Sequence, residues 1–170
     1  MITATPRRPL LALAALVLAA CSQSTAPVSA VEPDADTACA LDGMTLRDYP
    51  GPKAQIVYED GRRDFFCDTT EMFSMLLKPE TRRRVKVAYT QDMAQTDWRH
   101  PQGAWIDARG AVYVAGSRLM GSMGPTFAAF AARPAAEAFV KAHGGRIHAF
   151  SEVTPEMADL RGGAGTDEHM

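Results

Sequence analysis

Alternating apolar and polar residues predict a β-hairpin in the first half of the chain. Residues 55–58, QIVY, carry the β-branched and aromatic side chains that are common in strands, and residues 63–66, RDFF, form the returning strand. An Asp-Gly pair at 60–61 supplies the turn, because glycine adopts the backbone angles that tight hairpin turns require.

A helix and a third strand are predicted to follow this hairpin. Asp68 or Thr69 can cap the helix, and Glu71 stands three residues after Asp68, where the acid of a capping box would be. Pro79 ends the helix, since proline cannot donate to the helical hydrogen bonds and restricts the residue before it. The third strand covers residues 84–89, where apolar residues alternate with basic ones.

The same order of elements is predicted again further along the chain. Residues 103–107 and 112–115 form a second predicted hairpin around an Ala-Arg-Gly turn. A helix over residues 134–143 has apolar residues on one face and ends at a Gly-Gly pair, and residues 146–150 form a closing strand. Residues 116–130 are then an insertion between this hairpin and its helix.

These elements predict an α+β fold of duplicated ββαβ units, with two small antiparallel sheets that each carry a helix. The first unit, with an N-terminal metal motif, spans residues 39–98, and the second spans residues 99–152. Residues 153–170 are predicted to be a disordered tail, because the chain there becomes polar and rich in glycine.

The N-terminus has the features of an export signal. Its apolar run follows two arginines and is shorter than the ~20 residues that a membrane-spanning helix needs. The run ends in Leu-Ala-Ala-Cys, which resembles the lipobox of bacterial lipoproteins. We therefore expect a signal peptide over residues 1–20, a lipid on Cys21 and a flexible tether over residues 21–38. An ordinary signal that leaves Cys21 free is the alternative. Ser22 favours the outer membrane as the destination.

The charge balance gives no indication of nucleic-acid binding. Without the signal peptide, 16 of the 18 basic side chains remain against 20 acidic ones, which is a formal net charge of about −4. The chain has no nucleophile elbow, no phosphate-binding glycine loop and no CxxC pair. We therefore expect a binding protein rather than an enzyme.

Sulfur-bearing side chains are the strongest candidates for chemistry. Cys39 and Met44 lie in CALDGM, and Met120 and Met123 lie in the glycine-rich MGSMGP. Thiolates and thioethers are soft donors that select Cu(I), whereas zinc rarely takes thioethers and iron–sulfur clusters need four thiolates. We expect Cys39, with few apolar neighbours in sequence, to bind metal together with Met44 and Met123.

Other residues leave alternatives open. Cys67 opens the predicted first helix, where the pKa of a thiol is lowered, so it could bind metal or react. It could equally be buried beside Phe66, or form a disulfide with Cys39. Met72 and Met75 on that helix are expected to be core residues. Of the histidines, His143 is the best placed to supply an imidazole, although a role without ligation is the more common one.

Six segments together resemble the nitrous oxide reductase accessory lipoprotein family, NosL, over about residues 39–150. They are CALDGM, DYPGPKAQIVYEDG, FFCDTTEMF, WIDARGAVYVAGS, MGPTFAAF and GGRIHAF. The resemblance implies paired ββαβ modules and a Cu(I)-binding lipoprotein facing the periplasm. It also implies a copper chaperone in denitrification, which serves assembly of the copper sites of nitrous oxide reductase together with an ABC-type maturation complex.

The resemblance also implies a set of copper ligands. It places ligands at Cys39, Met44 and Met123. Many members have a second cysteine where this chain has Asp42, and that departure gives more weight to the methionines and to a histidine, for which His143 is the first choice. Met120 and Cys67 are further candidates.

A function of another class uses only the two cysteines that follow Cys21. In that alternative, Cys39 and Cys67 form the redox pair of a lipoprotein thiol–disulfide module, or the disulfide of a binding module. Metal content measured against free-thiol titration separates this alternative from the copper chaperone.

Overall fold

Four antiparallel strands form the larger sheet. The computed structural model describes Met1 and residues 28–78 and 85–160. The strands are β1 (Ala54–Tyr58), β2 (Arg63–Phe66), β3 (Val85–Gln91) and β4 (Trp105–Asp107), and their order is β2-β1-β3-β4. The predicted first hairpin is confirmed, because Ala54 pairs with Phe66 and Val57 pairs with Arg63.

Helix α1 (Thr69–Leu76) follows β2 and begins at a strong cap. Asp68 Oδ1 accepts the backbone N–H groups of Thr70 at 2.9 Å and of Glu71 at 3.2 Å, so two otherwise unpaired helical donors are satisfied. The capping box predicted with Glu71 is wrong by one residue. Glu71 turns into the core and accepts the N–H of Cys67 at 2.8 Å, not that of the cap residue. Pro79, the predicted end, lies outside the described residues.

Three strands and a helix form the second unit. They are β5 (Val112–Ala115), β8 (Ala128–Phe130), α2 (Arg133–His143) and β9 (Arg146–Ala149), and the sheet order is β8-β5-β9. Between β5 and β8, the strands β6 (Met120–Gly121) and β7 (Gly124–Pro125) pair as a short two-stranded ribbon.

The second predicted hairpin is wrong. Residues 105–107 pair with β3 in the first sheet, and the hairpin partner of β5 is β8, with Val112 opposite Phe130. The chain crosses between the sheets at Ala108 and Ala111, which are 0% and 3% exposed. The hydroxyl of Tyr113 donates to the Ala108 carbonyl at 2.6 Å and fixes this crossing, which a local turn pattern does not reveal.

The predicted α+β duplication is confirmed. Sheet orders β2-β1-β3 and β8-β5-β9 are equivalent: in each unit the first strand is central, the second is its hairpin partner, and the strand after the helix pairs on the other side. Each unit also carries one helix, between its second and its third strand.

Helix α1 joins the two units through Phe73. The ring of Phe73 lies 4.8 Å from that of Tyr113, 5.1 Å from that of Phe127 and 5.3 Å from that of Phe150, so aromatic contacts form the centre of the core. Met72 is fully buried and Met75 packs against the same cluster, which confirms both as core residues.

The segments on either side of the two units are more ordered than predicted. The flexible tether expected over residues 21–38 is contradicted at Val31, whose N–H and carbonyl bond to the Gln55 side chain at 3.0 and 2.9 Å. Buried Gln55 needs such partners, because an unpaired buried amide is costly. The tail expected from residue 153 is contradicted by Val153 and Ala158, which are buried in the main core.

The signal peptide, Cys21 and residues 161–170 lie outside the described residues. Within the described part of the chain, neither helix has the length and apolar character needed to cross a membrane.

Candidate metal centre

Two free thiols meet in the core. Cys39 and Cys67 are 4% and 0% exposed, and their Sγ atoms lie within 4.8 Å of one another and of an Asp42 carboxylate oxygen. The expectation that Cys39 has few apolar neighbours is wrong, because it belongs to the main core cluster together with Leu46. Neighbours in sequence gave no sign of this packing, since it depends on where the CALDGM turn lies in the fold.

The CALDGM turn is fixed to the edge of the larger sheet. Cys39 donates its N–H to the Met44 carbonyl at 2.8 Å, and Gly43 donates to the Cys39 carbonyl at 2.9 Å. Gly43 has φ of +79°, a conformation that glycine adopts without strain. The N–H of Ala40 donates to the Phe65 carbonyl of edge strand β2 at 2.8 Å. Because Phe65 lies two residues before Cys67, this contact brings the two cysteines together.

Met44 is the thioether nearest to the thiols along this turn. Its side chain is partly buried against the main core cluster that contains Cys39, and its N–H is held by Asp42 Oδ1 at 2.9 Å. Its carbonyl oxygen lies 3.7 Å from Cys67 Sγ. The Met44 carbonyl therefore contacts both cysteines, and the role of its thioether in binding metal stays a prediction.

Glu71 contacts both cysteines, and the sequence analysis did not predict it as a site residue. Its Oε2 lies 3.1 Å from Cys39 Sγ and accepts the Cys67 N–H, while no partner of its buried Oε1 is found among the described residues. Burial raises the pKa of Glu71 to about 9, with the contact to Cys39 adding to the effect. The sequence signal is the acid three residues after Asp68, which predicts a capping-box acid and not a group beside the thiols.

The two thiols differ in their protonation. A hydrogen bond from the Cys67 thiol lowers the pKa of Cys39 to about 6, with Glu71 contributing and burial opposing. The same hydrogen bond and burial raise the pKa of Cys67. At neutral pH, Cys39 is therefore the thiolate, and it accepts a hydrogen bond from the neutral thiol of Cys67. A thiolate is the form that binds metal.

Lys53 is a buried cation in contact with this cluster, and it too was missed in the sequence. It is 2% exposed, and its ammonium donates to the carbonyls of Cys67 at 3.0 Å and Tyr49 at 2.7 Å. Burial lowers the pKa of Lys53 to about 8, although the neighbouring acidic groups oppose this effect. Lys53 is far from Cys67 in sequence, so its place beside the thiols could be recognised only from the fold.

The second sulfur motif lies on the first turn of α1. Met120 and Met123, each 51% exposed, stand on the β6–β7 ribbon. Ser122 donates to Asp68 Oδ2 at 2.9 Å, and a Cβ on Gly121 would meet that same oxygen at 2.8 Å, so only glycine allows this approach. Both sulfur motifs therefore reach the end of α1 where Cys67 lies. Metal binding by Met120 or Met123 stays a prediction.

The structure places His143 elsewhere. It lies in the last turn of α2, with its ring 4.7 Å from that of Phe139. Phe139 packs against the smaller core cluster of the second unit. No described contact joins His143 to Cys39 or Cys67, so an imidazole ligand from this residue stays a prediction without support from the geometry.

Comparison with known proteins shows the relationship of this chain to others. The family model NosL matches residues 30–158. The chain belongs to the NosL family. The family resemblance of the sequence is thus confirmed, and the match covers both units together with the described N-terminal segment from residue 30.

Two NosL relatives align with most of the chain. The copper-binding lipoprotein NosL of Stutzerimonas stutzeri is 38% identical over 146 residues, which cover 83% of this chain and 76% of that protein. The copper-binding lipoprotein NosL of Achromobacter cycloclastes is 37% identical over 155 residues, which cover 87% and 80%. The crystal structure of the copper chaperone NosL from Shewanella denitrificans matches with a TM-score of 0.73 at 36% identity, covering 76% of this chain and 98% of that one.

Proposed function

We propose that this NosL-family protein is a Cu(I) carrier that faces the periplasm. A lipid on Cys21 anchors it, and it delivers copper for assembly of the copper sites of nitrous oxide reductase, with an ABC-type complex as partner. One observation carries the proposal: two free thiols and the turn that holds the Met44 thioether meet at one place. The names of the two copper-binding relatives and of the chaperone structure support copper as the cargo.

The donor chemistry suits a carrier of Cu(I). Cys39 supplies a thiolate at neutral pH, because its pKa is lowered to about 6, and Met44 and Met123 are the proposed thioether donors. Thiolates and thioethers are soft ligands that select Cu(I) over harder cations. The protein makes and breaks no covalent bond of a substrate in this role, so its action is ligand exchange and not catalysis.

The exposed ribbon provides a route for exchange. Met120 and Met123 are half exposed, whereas Cys39 is buried. An arriving ion therefore passes from the solvent-facing thioethers to the buried thiolate, and a departing ion takes the reverse path. A partner that offers another thiolate or imidazole can take the ion from the exposed side. The hydrogen bond from Ser122 to Asp68 holds the ribbon at the start of α1, directly after Cys67 in sequence.

Anaerobic titration of the full reduced chain, purified in detergent, with Cu(I) against a competing chelator tests the proposal. We expect one tightly bound ion, strong weakening in Cys39→Ser and a smaller weakening in Met123→Leu. Met72→Leu is the matched control, because Met72 is a methionine of α1 that is fully buried in the core. Binding that neither site variant changes would refute the carrier proposal.

A thiol–disulfide module is a second candidate, because both thiols are free and their Sγ atoms lie within 4.8 Å of one another. In that case the isolated protein would contain an oxidised Cys39–Cys67 pair and no copper. Thiol titration and copper analysis of the same sample decide: copper bound while both thiols are free supports the carrier, and a reversible disulfide without copper supports the redox module.

A further inference from the structure

Basic side chains are concentrated in the second unit. From residue 108 to residue 151 the chain has one acidic side chain, Glu137, which is paired with Arg133. The same stretch has five basic side chains: Arg109, Arg118, Arg133, Lys141 and Arg146. The other 19 of the 20 acidic side chains lie outside it, so a chain that is acidic overall has a positively charged second unit.

Three of these basic residues surround one end of the unit, where β5 ends, α2 ends and β9 begins. Arg118 donates its N–H to the His143 carbonyl at 2.9 Å and its guanidinium to the Ala142 carbonyl at 2.7 Å, so it is fixed at the last turn of α2. Lys141 lies in that last turn, and Arg146 is the first residue of β9. We call Arg118, Lys141 and Arg146 the basic end.

The charges of the basic end are not neutralised within the described part of the chain. All three side chains are exposed, and none of them forms an ion pair with a described residue. The bond from Arg118 to the helix end complements the negative end of the helix dipole, but it uses only part of the donors of a guanidinium. Lys141 and Arg146 make no side-chain hydrogen bond to any described residue. Their charges therefore face solvent, where a partner can reach them.

A shallow cavity of about 420 Å³ opens at this end. Its lining consists of Ala115, Gly116, Gly145, Arg146 and His148. A Cβ on Gly145 would lie 2.7 Å from the Ala115 carbonyl oxygen, so only glycine allows β9 to begin this close to β5. A concave surface with a guanidinium in its wall suits a carboxylate side chain that projects from a protein, because arginine pairs well with carboxylates. A lipid bilayer presents its anionic groups on a flat surface and fits this cavity less well.

The basic end continues into the methionine ribbon. Met120 on β6 lies two residues after Arg118, and its carbonyl accepts the indole N–H of Trp98 at 3.1 Å. The ring of Trp98 is stacked on that of Phe139 of α2, with 5.7 Å between ring centroids. The ribbon is thus attached to the helix that ends at the basic end, so a partner docked there lies beside the exposed thioethers.

We propose that the basic end is a docking surface for an acidic face of a partner protein. Complementary charge steers such a partner to this end and sets its orientation, because oppositely charged surfaces raise the rate of encounter. The inference rests on the proposed function in one respect: the partner is the protein that exchanges the ion with Met120 and Met123. Docking at the basic end brings the donors of that partner to the ribbon.

Binding of a short, fluorescently labelled polyglutamate peptide tests this surface. The full chain, metal-free and in a non-ionic detergent, is titrated into the peptide, and fluorescence anisotropy is measured. We expect binding at about 0.01 M salt that is lost at about 1 M salt, since the Debye length falls from about 30 Å to about 3 Å. Lys141→Glu and Arg146→Glu should each weaken the affinity at least about threefold, because each replaces an attractive charge by a repulsive one.

Arg109→Glu is the matched control. It makes the same change of charge in the same unit, but Arg109 precedes β5 and lies at the opposite end of that strand from Arg118. We expect its affinity for polyglutamate to stay close to that of wild type, and thermal unfolding checks that each variant is folded. Equal weakening by all three variants would mean that only net charge matters, and it would overturn the docking surface.

Two further titrations separate the remaining outcomes. An absence of polyglutamate binding overturns the docking surface, and binding of phosphatidylglycerol vesicles by such a protein would assign the basic end to the membrane. Titration with Cu(I) is independent of the peptide, because the peptide is tested on metal-free protein. A protein that binds polyglutamate at the basic end but fails to bind Cu(I) would overturn the copper-carrier proposal and leave the docking surface standing.

Discussion

Glu71→Gln tests the inference that Glu71 is neutral in the folded protein. The pKa of Glu71 is raised from 4.5 to about 9, so the folded chain holds a proton that the unfolded chain loses as pH rises above 4.5. Stability must then decrease with rising pH, because the folded state binds more protons. The pKa of Cys39 is lowered to about 6, so below pH 6 its thiol is protonated in both states and does not contribute to this slope.

The window from pH 4.5 to pH 6 therefore isolates the carboxyl group. At about 1.4 kcal/mol per pH unit, wild-type protein should lose about 2 kcal/mol of unfolding free energy across this window, relative to Glu71→Gln. Above pH 6, Cys39 gives the opposite slope, because the folded state now binds fewer protons at that thiol. The two effects offset one another up to about pH 9.

Urea unfolding of metal-free, reduced protein, followed by tryptophan fluorescence at half-unit pH steps, measures this difference. Glu137→Gln is the control, because Glu137 is an exposed acid on α2 paired with Arg133. A constant difference between wild type and Glu71→Gln across the window would mean that Glu71 titrates as an ordinary exposed acid. A difference that grows in favour of wild type would mean that Glu71 is ionised in the core. Either result would refute the reasoning.

Three further substitutions test the placement of the motifs. Gly121→Ala should destabilise the protein by about 1–3 kcal/mol and weaken Cu(I) binding, because the added Cβ would lie 2.8 Å from Asp68 Oδ2 and displace the ribbon. Urea unfolding measures the loss of stability, and chelator competition measures the loss of Cu(I) affinity. Asp68→Ala should cost about 1–2 kcal/mol, measured by thermal unfolding, through loss of the helix cap. Met72→Ala should cost about 2–5 kcal/mol in urea, with copper stoichiometry unchanged in the folded fraction.

Elements with local signals were predictable from the sequence. Strands β1 and β2 alternate around an Asp-Gly turn, and Asp68 is the cap of α1 both in the prediction and in the structure. These features depend on residues only a few positions apart. The same was true of the helix ending at Gly144, which has a positive φ of 76°.

Features that depend on distant partners were not predictable from one sequence. The residues after strand β4 fit a hairpin turn that would pair β4 with β5. The strand pairs with β3 instead, because Ala108 and Ala111 are buried where the chain crosses between the sheets. The burial of Cys39 depends in the same way on docking of its turn against Phe65 of β2. The chemistry of their side chains identified the cysteines and Met44 as candidates. Glu71 was recognised as part of the site only from the structure, in which its carboxyl group lies beside Cys39 Sγ.

The docking of the N-terminal segment sets the reach of the protein under the proposed anchoring at Cys21. Val31 is bonded to Gln55, and Glu32 accepts the indole N–H of Trp105 at 2.7 Å, so the chain is attached to the larger sheet from residue 28 onward. With a lipid on Cys21, only residues 21–27 separate the bilayer from the folded unit, and they span at most about 25 Å. Under the proposed anchoring, a linker of this length would confine encounters with a membrane-embedded acceptor to a thin layer above the lipid headgroups and so raise the effective concentration of that acceptor.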